Sequence, residues 1–210
     1  MKQSSSSSSS RTTRRCFFAA VLALSAFACG DGPPPSPVAR IYTGEVADSD
    51  ARLGIIATEH RARLFFCGGA SSYQAMTRWL TADINAEHQL RIPSDAGPTW
   101  GIQGKVTDAE VNGSIDIGDA MPRTFRATIV SERTISGLYE GTAPCGRLGL
   151  IVVQPTPDST AVGQGACVGP VLEQVNPLEP IVRDPDGAIR VTVGSSPGER
   201  EVRAAAPPSD

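Results

Sequence analysis

From residue 40 onward, apolar residues fall on alternate positions, and turn residues interrupt the pattern every 8–12 positions. Trp100, Ile102, Gly104 and Val106 form one row, with Gln103, Lys105 and Thr107 opposite. Val111, Gly113, Ile115 and Ile117 stand likewise against Asn112, Ser114 and Asp116, and Leu80, Ala82 and Ile84 against Trp79, Thr81 and Asp83. A period of two belongs to a strand with one dry face and one wet face. Hairpin-length links between such segments make neighbours antiparallel. The spacing predicts strands at 40–46, 53–58, 62–67, 78–85, 90–93, 100–107, 111–117, 125–129, 135–142 and 147–153, with room for one helical turn at 71–77. The fold expected is all-β, an antiparallel meander closing into a small barrel, with a β-sandwich as the alternative. Glycines 44, 54, 104, 113, 141 and 149 fall inside strands. They favour the barrel because they permit tight coiling; in a sandwich they would mark bulges.

This pattern sets the domain organisation. The barrel-like domain is expected over 40–167. An extended segment with a C-terminal hairpin follows over 168–203: the proline-interrupted part, 168–186, wraps the barrel, and 188–193 pairs with 199–203. Residues 204–210 read as a disordered tail.

The segment before residue 40 is of another kind. Residues 1–28 contain no acidic residue. A serine run and Arg11, Arg14 and Arg15 precede an apolar stretch, Cys16 to Ala28, broken only by Ser25. That stretch is too short to span a bilayer, which takes roughly 20 residues, and has the length of a secretory signal, 1–28. Ala26-Phe27-Ala28 offers the small residues a signal peptidase needs. Ala26-Phe27-Ala28-Cys29 also resembles the lipobox of bacterial lipoproteins. The resemblance implies that Cys29 receives a diacylglycerol and that its freed amine is acylated, for instance with palmitate. Residues 29–39 include Gly30-Asp31-Gly32-Pro33-Pro34-Pro35-Ser36-Pro37, a polar tether that cannot fold and that a lipid-anchored domain requires. Thr13-Arg14-Arg15-Cys16-Phe17-Phe18 resembles the twin-arginine export signal. The general secretory route remains the alternative, because the chain uses arginine almost throughout, with lysine only at 2 and 105.

Removing the signal takes four of the 19 basic residues and leaves 15 against 22 acidic ones, a net charge of −7. A nucleic-acid partner needs a basic footprint, which this composition excludes. Eight aromatic residues remain, thin for a stacking platform, and read as core. The stretch from Tyr42 to Tyr139 resembles an uncharacterised secreted β-domain of high-GC bacteria, through Tyr42-Thr-Gly-Glu-Val, Arg63-Leu-Phe-Phe-Cys67-Gly, Trp79-Leu and Gly137-Leu-Tyr139. The resemblance implies a barrel-like fold and assigns no activity.

Little in the chain points to chemistry. Beyond Cys29 the mature cysteines are 67, 145 and 167, without the short paired spacings of a metal site, so no metal and no cofactor is expected. A hairpin centred on Thr156 sets Cys145 opposite Cys167, at a separation that suits a disulfide. Cys67 ends an apolar strand and reads as a buried free thiol. His60 and His88 fall in polar turns and read as solvated. Ser71 and Ser72 follow Gly68-Gly69-Ala70 without the G-x-S-x-G of a nucleophile elbow. Asp116 and Asp119, near Asp108 and Glu110, read as a wet strand face rather than a glycosidase pair. The expectation is a non-enzymatic cell-envelope lipoprotein, held by its lipid on the periplasmic face or at the outer membrane, or secreted if unlipidated. Its β-domain would be structural or binding, with a lipocalin-like carrier or a protease inhibitor as alternatives. Ala57, Ala82, Gly104, Gly113 and Ala127 bear on the carrier: small inward residues either leave a lumen or let a narrow barrel close.

Overall fold

The computed structural model describes residues 38–92, 100–118, 121–195 and 198–208. Cys29, the whole signal and the tether as far as Pro37 lie outside the described residues, as does Asp119.

The alternating segments form eight strands: β1 (Arg40–Val46), β2 (Arg52–Ala57), β3 (Arg61–Cys67), β4 (Arg78–Ile84), β5 (Gln89–Ile92), β6 (Gly101–Val106), β7 (Glu110–Asp116) and β8 (Arg123–Ile129). A one-turn helix, α1 (Tyr73–Met76), sits between β3 and β4. Each strand pairs antiparallel with the next, and β8 pairs with β1 from Tyr42↔Ile129 to Val46↔Phe125, so the sheet closes into a barrel. Eight strands enclose an interior that side chains alone can fill. Here Tyr42, Leu53, Ile55, Leu64, Phe66, Ile102, Ile115 and Phe125 fill it, all at most 3 % exposed. Gly113 is required by this packing: a Cβ there would lie 2.5 Å from Phe125 Cζ. The small inward residues therefore let a narrow barrel close, with Phe125 over Gly104 and Gly113, and Ala57, Ala82 and Ala127 buried.

The barrel is complete at Ile129, well before the boundary expected at 167. Residues from Gly137 onward build a second antiparallel sheet from β9 (Gly137–Ala143), β10 (Gly146–Val153), β11 (Val162–Val168), β12 (Leu172–Arg183), β13 (Ile189–Ser195) and β14 (Gly198–Ala204), in chain order across the sheet. This sheet has its own core, including Tyr139, Leu148, Leu150, Val152, Val175, Ile189, Val191 and Val193. The segment expected to wrap the barrel is largely strand: β12 pairs with both β11 and β13, and its ladder slips only between Leu178 and Val182, around Pro180. The hairpin expected at the C-terminus is β13–β14. The tail is placed rather than loose as far as Pro208. Ala205 and Glu140 exchange two backbone hydrogen bonds (2.7 and 2.9 Å), Pro207 is buried, and the Pro208 carbonyl accepts from Arg63 (3.1 Å).

A third apolar cluster joins the bodies. Ile56, Phe65 and Cys67 on the outside of the barrel pack against Leu138, Ile151 and Ala166 of the second sheet. Gly149 makes room for Phe65, whose ring a Cβ would meet at 2.6 Å. The Gln164 amide donates to the Cys67 carbonyl (2.6 Å).

Candidate functional site

The two ends of the barrel differ. At one end the β1–β2 turn, α1 and the start of β6 form a plug. Met76 is fully buried, and its sulfur accepts from Ser49 Oγ (3.4 Å) and Arg123 Nη1 (3.1 Å). Trp100 packs edge-on against Phe66 (5.6 Å between centroids), with the Arg78 guanidinium 5.1 Å from the Trp100 ring centre.

The other end, where β1 begins, has no plug among the described residues. The β2–β3, β4–β5 and β6–β7 turns and the entry to β1 surround a pocket of about 550 Å³. Its floor is Ile84 and Val106, and Val38, Arg40, Thr58, Glu59, His88, Lys105, Thr107 and Asp108 line the rest. The neighbouring inward positions on β2, β3 and β4 are alanines in register, Ala57↔Ala62↔Ala82. Tyr42 lies beneath and donates to the Thr107 carbonyl (2.8 Å); burial raises its phenol pKa, partly offset by Arg40. Arg40 is matched by Asp108 (2.9 Å), and Glu59 faces His60 at 3.9 Å. The Thr58 and Thr107 hydroxyls are committed to their own turns, on the carbonyls of Arg61 and Glu110.

A second concavity, a groove of about 1010 Å³, runs between the outer face of β1, β7 and β8 and the end of the β10–β11 hairpin. Thr43, Glu45, Arg52, Asn112, Thr124, Arg126 and Thr128 line one side, and Val153, Pro155 and Val162 the other. Glu45 stands in register between Arg52 and Arg126, and Arg126 also pairs with Glu110 (2.7 Å). The charges along the groove largely cancel, and it holds no nucleophile beside a base.

A third polar cluster lies where β9 meets the barrel. Glu140 takes two bonds from Arg147 (2.6 and 2.9 Å) and one from Arg63 (3.1 Å). Arg147 stacks 4.0 Å from the centre of the Trp79 ring, which also stacks on Phe65 at 4.6 Å and has the Arg63 guanidinium 5.7 Å from its centre. Charge-assisted pairs of this kind fix position; this one holds the edge of the second sheet against β3 and β4.

The residues singled out in the sequence are mostly committed to structure. Asp50 accepts from the backbone N–H groups of Gly69, Ser71 and Ser72 and from both serine hydroxyls, so Ser71 and Ser72 are held by a loop-fixing carboxylate. Those donors, the Ser72 hydroxyl first, keep the Asp50 pKa well below the ordinary range. Asp116 accepts from Gly118 N (2.8 Å) in its turn, and Glu110 and Asp108 are ion-paired. Burial pushes the Cys67 thiol up to about 12, far from a reactive thiolate. His60 is solvated, whereas His88, read as one more turn histidine, borders the open end of the barrel. Among the described residues no group of three or more His, Cys, Asp or Glu side chains could hold a metal ion.

The Cys145 and Cys167 sulfurs lie at disulfide distance, with Cα atoms 5.8 Å apart, but not for the reason the sequence suggested. The hairpin register is Val153↔Val162 through Arg147↔Val168, so Leu148, not Cys145, faces Cys167. Cys145 reaches over from the β9–β10 turn. Gly146 at φ +130° makes that turn, and Gly169 lies so close to the Cys145 carbonyl that a side chain would collide with it.

Sequence reasoning did not identify the pocket, because four separate segments build it. The one signal was Lys105, the only lysine after residue 2. No family model, no curated protein and no solved structure matches the chain, so the fold and these sites are read from the molecule itself.

Proposed function

We propose that this protein is a bacterial cell-envelope lipoprotein: exported, cut before Cys29, anchored through lipid on that cysteine, and carrying a β-domain that binds or supports rather than catalyses. The observation that carries the reading is the order of three segments. An apolar run ends at Cys29, a proline-rich tether follows, and the strands begin at Arg40. A polar, proline-rich composition suits a spacer between a membrane and a folded body. A domain whose Ser71 and Ser72 are tied to Asp50, whose Glu110 is ion-paired with Arg126 and whose free thiol, Cys67, is buried is suited to recognition or scaffolding. Metabolic labelling with a fatty acid tests the anchor. Label is expected on the wild type and not on Cys29→Ala; equal labelling, or a wild-type chain beginning at Cys29 with a free amine, would overturn it.

A further inference from the structure

We infer that the unplugged end of the barrel is a binding site for a small amphipathic anion, a monocarboxylate with a short aliphatic tail. The inference goes beyond the lipoprotein reading and does not depend on it. The opposite end shows how this chain closes a barrel, with α1, Met76 and Trp100, and no described residue plays that part here. The open end instead keeps a pocket of about 550 Å³, within the range of small-molecule sites, roughly 300–1,000 Å³.

The lining sets the chemistry. Ile84 and Val106, 5 % and 6 % exposed, make an apolar floor onto which a short aliphatic chain can lie. At the rim the charges are unequal in their commitments. Arg40 is neutralised by Asp108, and Glu59, 76 % exposed, turns toward His60. Lys105 and the His88 imidazole have no hydrogen bond or ion pair among the described residues. Lys105 lies on a ladder between the neutral Gln89 and Asn112, so no carboxylate faces it across either strand pair. Lys105 stands on the exposed row of β6, next to the inward Val106, and borders the pocket from outside the barrel; its ammonium, on a flexible stem, can reach over the rim to a carboxylate head whose tail lies on the apolar floor.

His88 adds an independent feature. It has φ +59°, uncommon for a non-glycine residue. Its N–H donates to the Asn85 carbonyl (2.9 Å), its own carbonyl accepts from Val106 N (2.9 Å), and Asn85 Oδ1 holds the amides of Glu87 and Gln89. The imidazole is thus carried on a fixed turn tied directly to the pocket floor. Backbone held in a sparse region by its surroundings is a recurrent mark of binding sites.

Titration of the full chain with sodium octanoate, followed by the methyl NMR signals of Ile84 and Val106, tests the site. Saturable shifts confined to this end are expected. Lys105→Met should weaken binding by roughly five- to tenfold, the loss of one charged hydrogen bond at an accessible site. His88→Asn, which keeps a residue tolerant of positive φ, should weaken it less, and Glu59→Gln should tighten it. Octanol, with the tail and no charge, and propionate, with the charge and little tail, should both bind more weakly. Spectra of the variants away from the pocket report that they remain folded. The inference is overturned if the shifts do not saturate, if they map elsewhere, if Lys105→Met binds octanoate as the wild type does, or if octanol binds as tightly.

Discussion

The first meander closes by pairing its last strand with its first over five residues, Tyr42↔Ile129 to Val46↔Phe125, whereas the second brings its ends together at Glu140 and Ala205. Both curl round an apolar core of their own. With eight strands the backbone ladder seals the barrel. With six, the seam between β9 and β14 falls to other devices: the Glu140–Ala205 bridge, the Arg63–Glu140–Arg147 cluster and the tail through Pro208, while the Cys145–Cys167 pair ties the β9–β10 turn to β11. Arg63 and Trp79 are barrel residues, so the second sheet borrows part of its closure from the first. The body that stands alone in hydrogen-bonding terms also carries the pocket, on turns held by a sealed ladder.

If the barrel is the self-sufficient partner, damage to its core should be the most costly. Phe125→Ala removes a ring that covers Gly104 and Gly113 and packs edge-on against Phe66. A loss of about 3–5 kcal/mol is expected, read as a lowered denaturant midpoint, with both bodies unfolding together because the second loses its support. A second sheet that survives this variant would show that it does not lean on the barrel.

The next largest effect separates the two bodies in the other direction. Replacing Cys145 and Cys167 by serine opens a link spanning 22 residues, worth roughly 3 kcal/mol by loop-closure entropy. The loss should appear in the second sheet and leave barrel signals near their wild-type stability. Non-reducing peptide mapping should first recover the two cysteines cross-linked and Cys67 alkylated only after unfolding. A Cys67 cross-link, or barrel signals that fall in step, would break the comparison.

The strands were legible because alternation is local: β1 was read at its observed bounds, and the inward rows of β4, β6 and β7 on their observed faces. Closure was not legible. Nothing near Ile129 says that it will meet Tyr42, 87 positions back, so the barrel was carried on to 167 through strands of the same pattern. The Cys145–Cys167 pair was reached from a hairpin centre at Thr156, but the 154–161 connection is asymmetric. Gln154 holds the carbonyls of Pro157 and Ser159, and this shifts the register. The tail looked disordered because Ala205-Ala-Pro-Pro has no pattern of its own; its order comes from Glu140 and Arg63, far away in sequence. The pocket was hidden for the same reason, since only the closed barrel brings residues 40, 84, 88 and 105 together.

Smaller effects sharpen the seam. Ending the chain at Ala204 removes the Ala205 bridge and the Pro208 contact. About 1–2 kcal/mol should be lost, at roughly 1 kcal/mol for a typical net hydrogen bond, and confined to β9 and β14. The smallest expected effect belongs to Asp50. Its pKa is lowered on folding, so its contribution is present above the unfolded value near about 4 and disappears as pH falls toward the folded value. The wild type should therefore lose stability below about pH 4 by more than Asp50→Asn does, by a small margin because the carboxylate is exposed and screened.

Native-state hydrogen exchange across a denaturant series measures the contrast between the closures directly. The β1 and β8 amides paired between Tyr42 and Val46 and between Phe125 and Ile129 should exchange only through global unfolding, with the full denaturant dependence. The Glu140 and Ala205 amides, which carry the seam, should exchange through a local opening of markedly lower free energy and little denaturant dependence. Equal protection at the two places, or a β1–β8 ladder that opens first, would contradict the account.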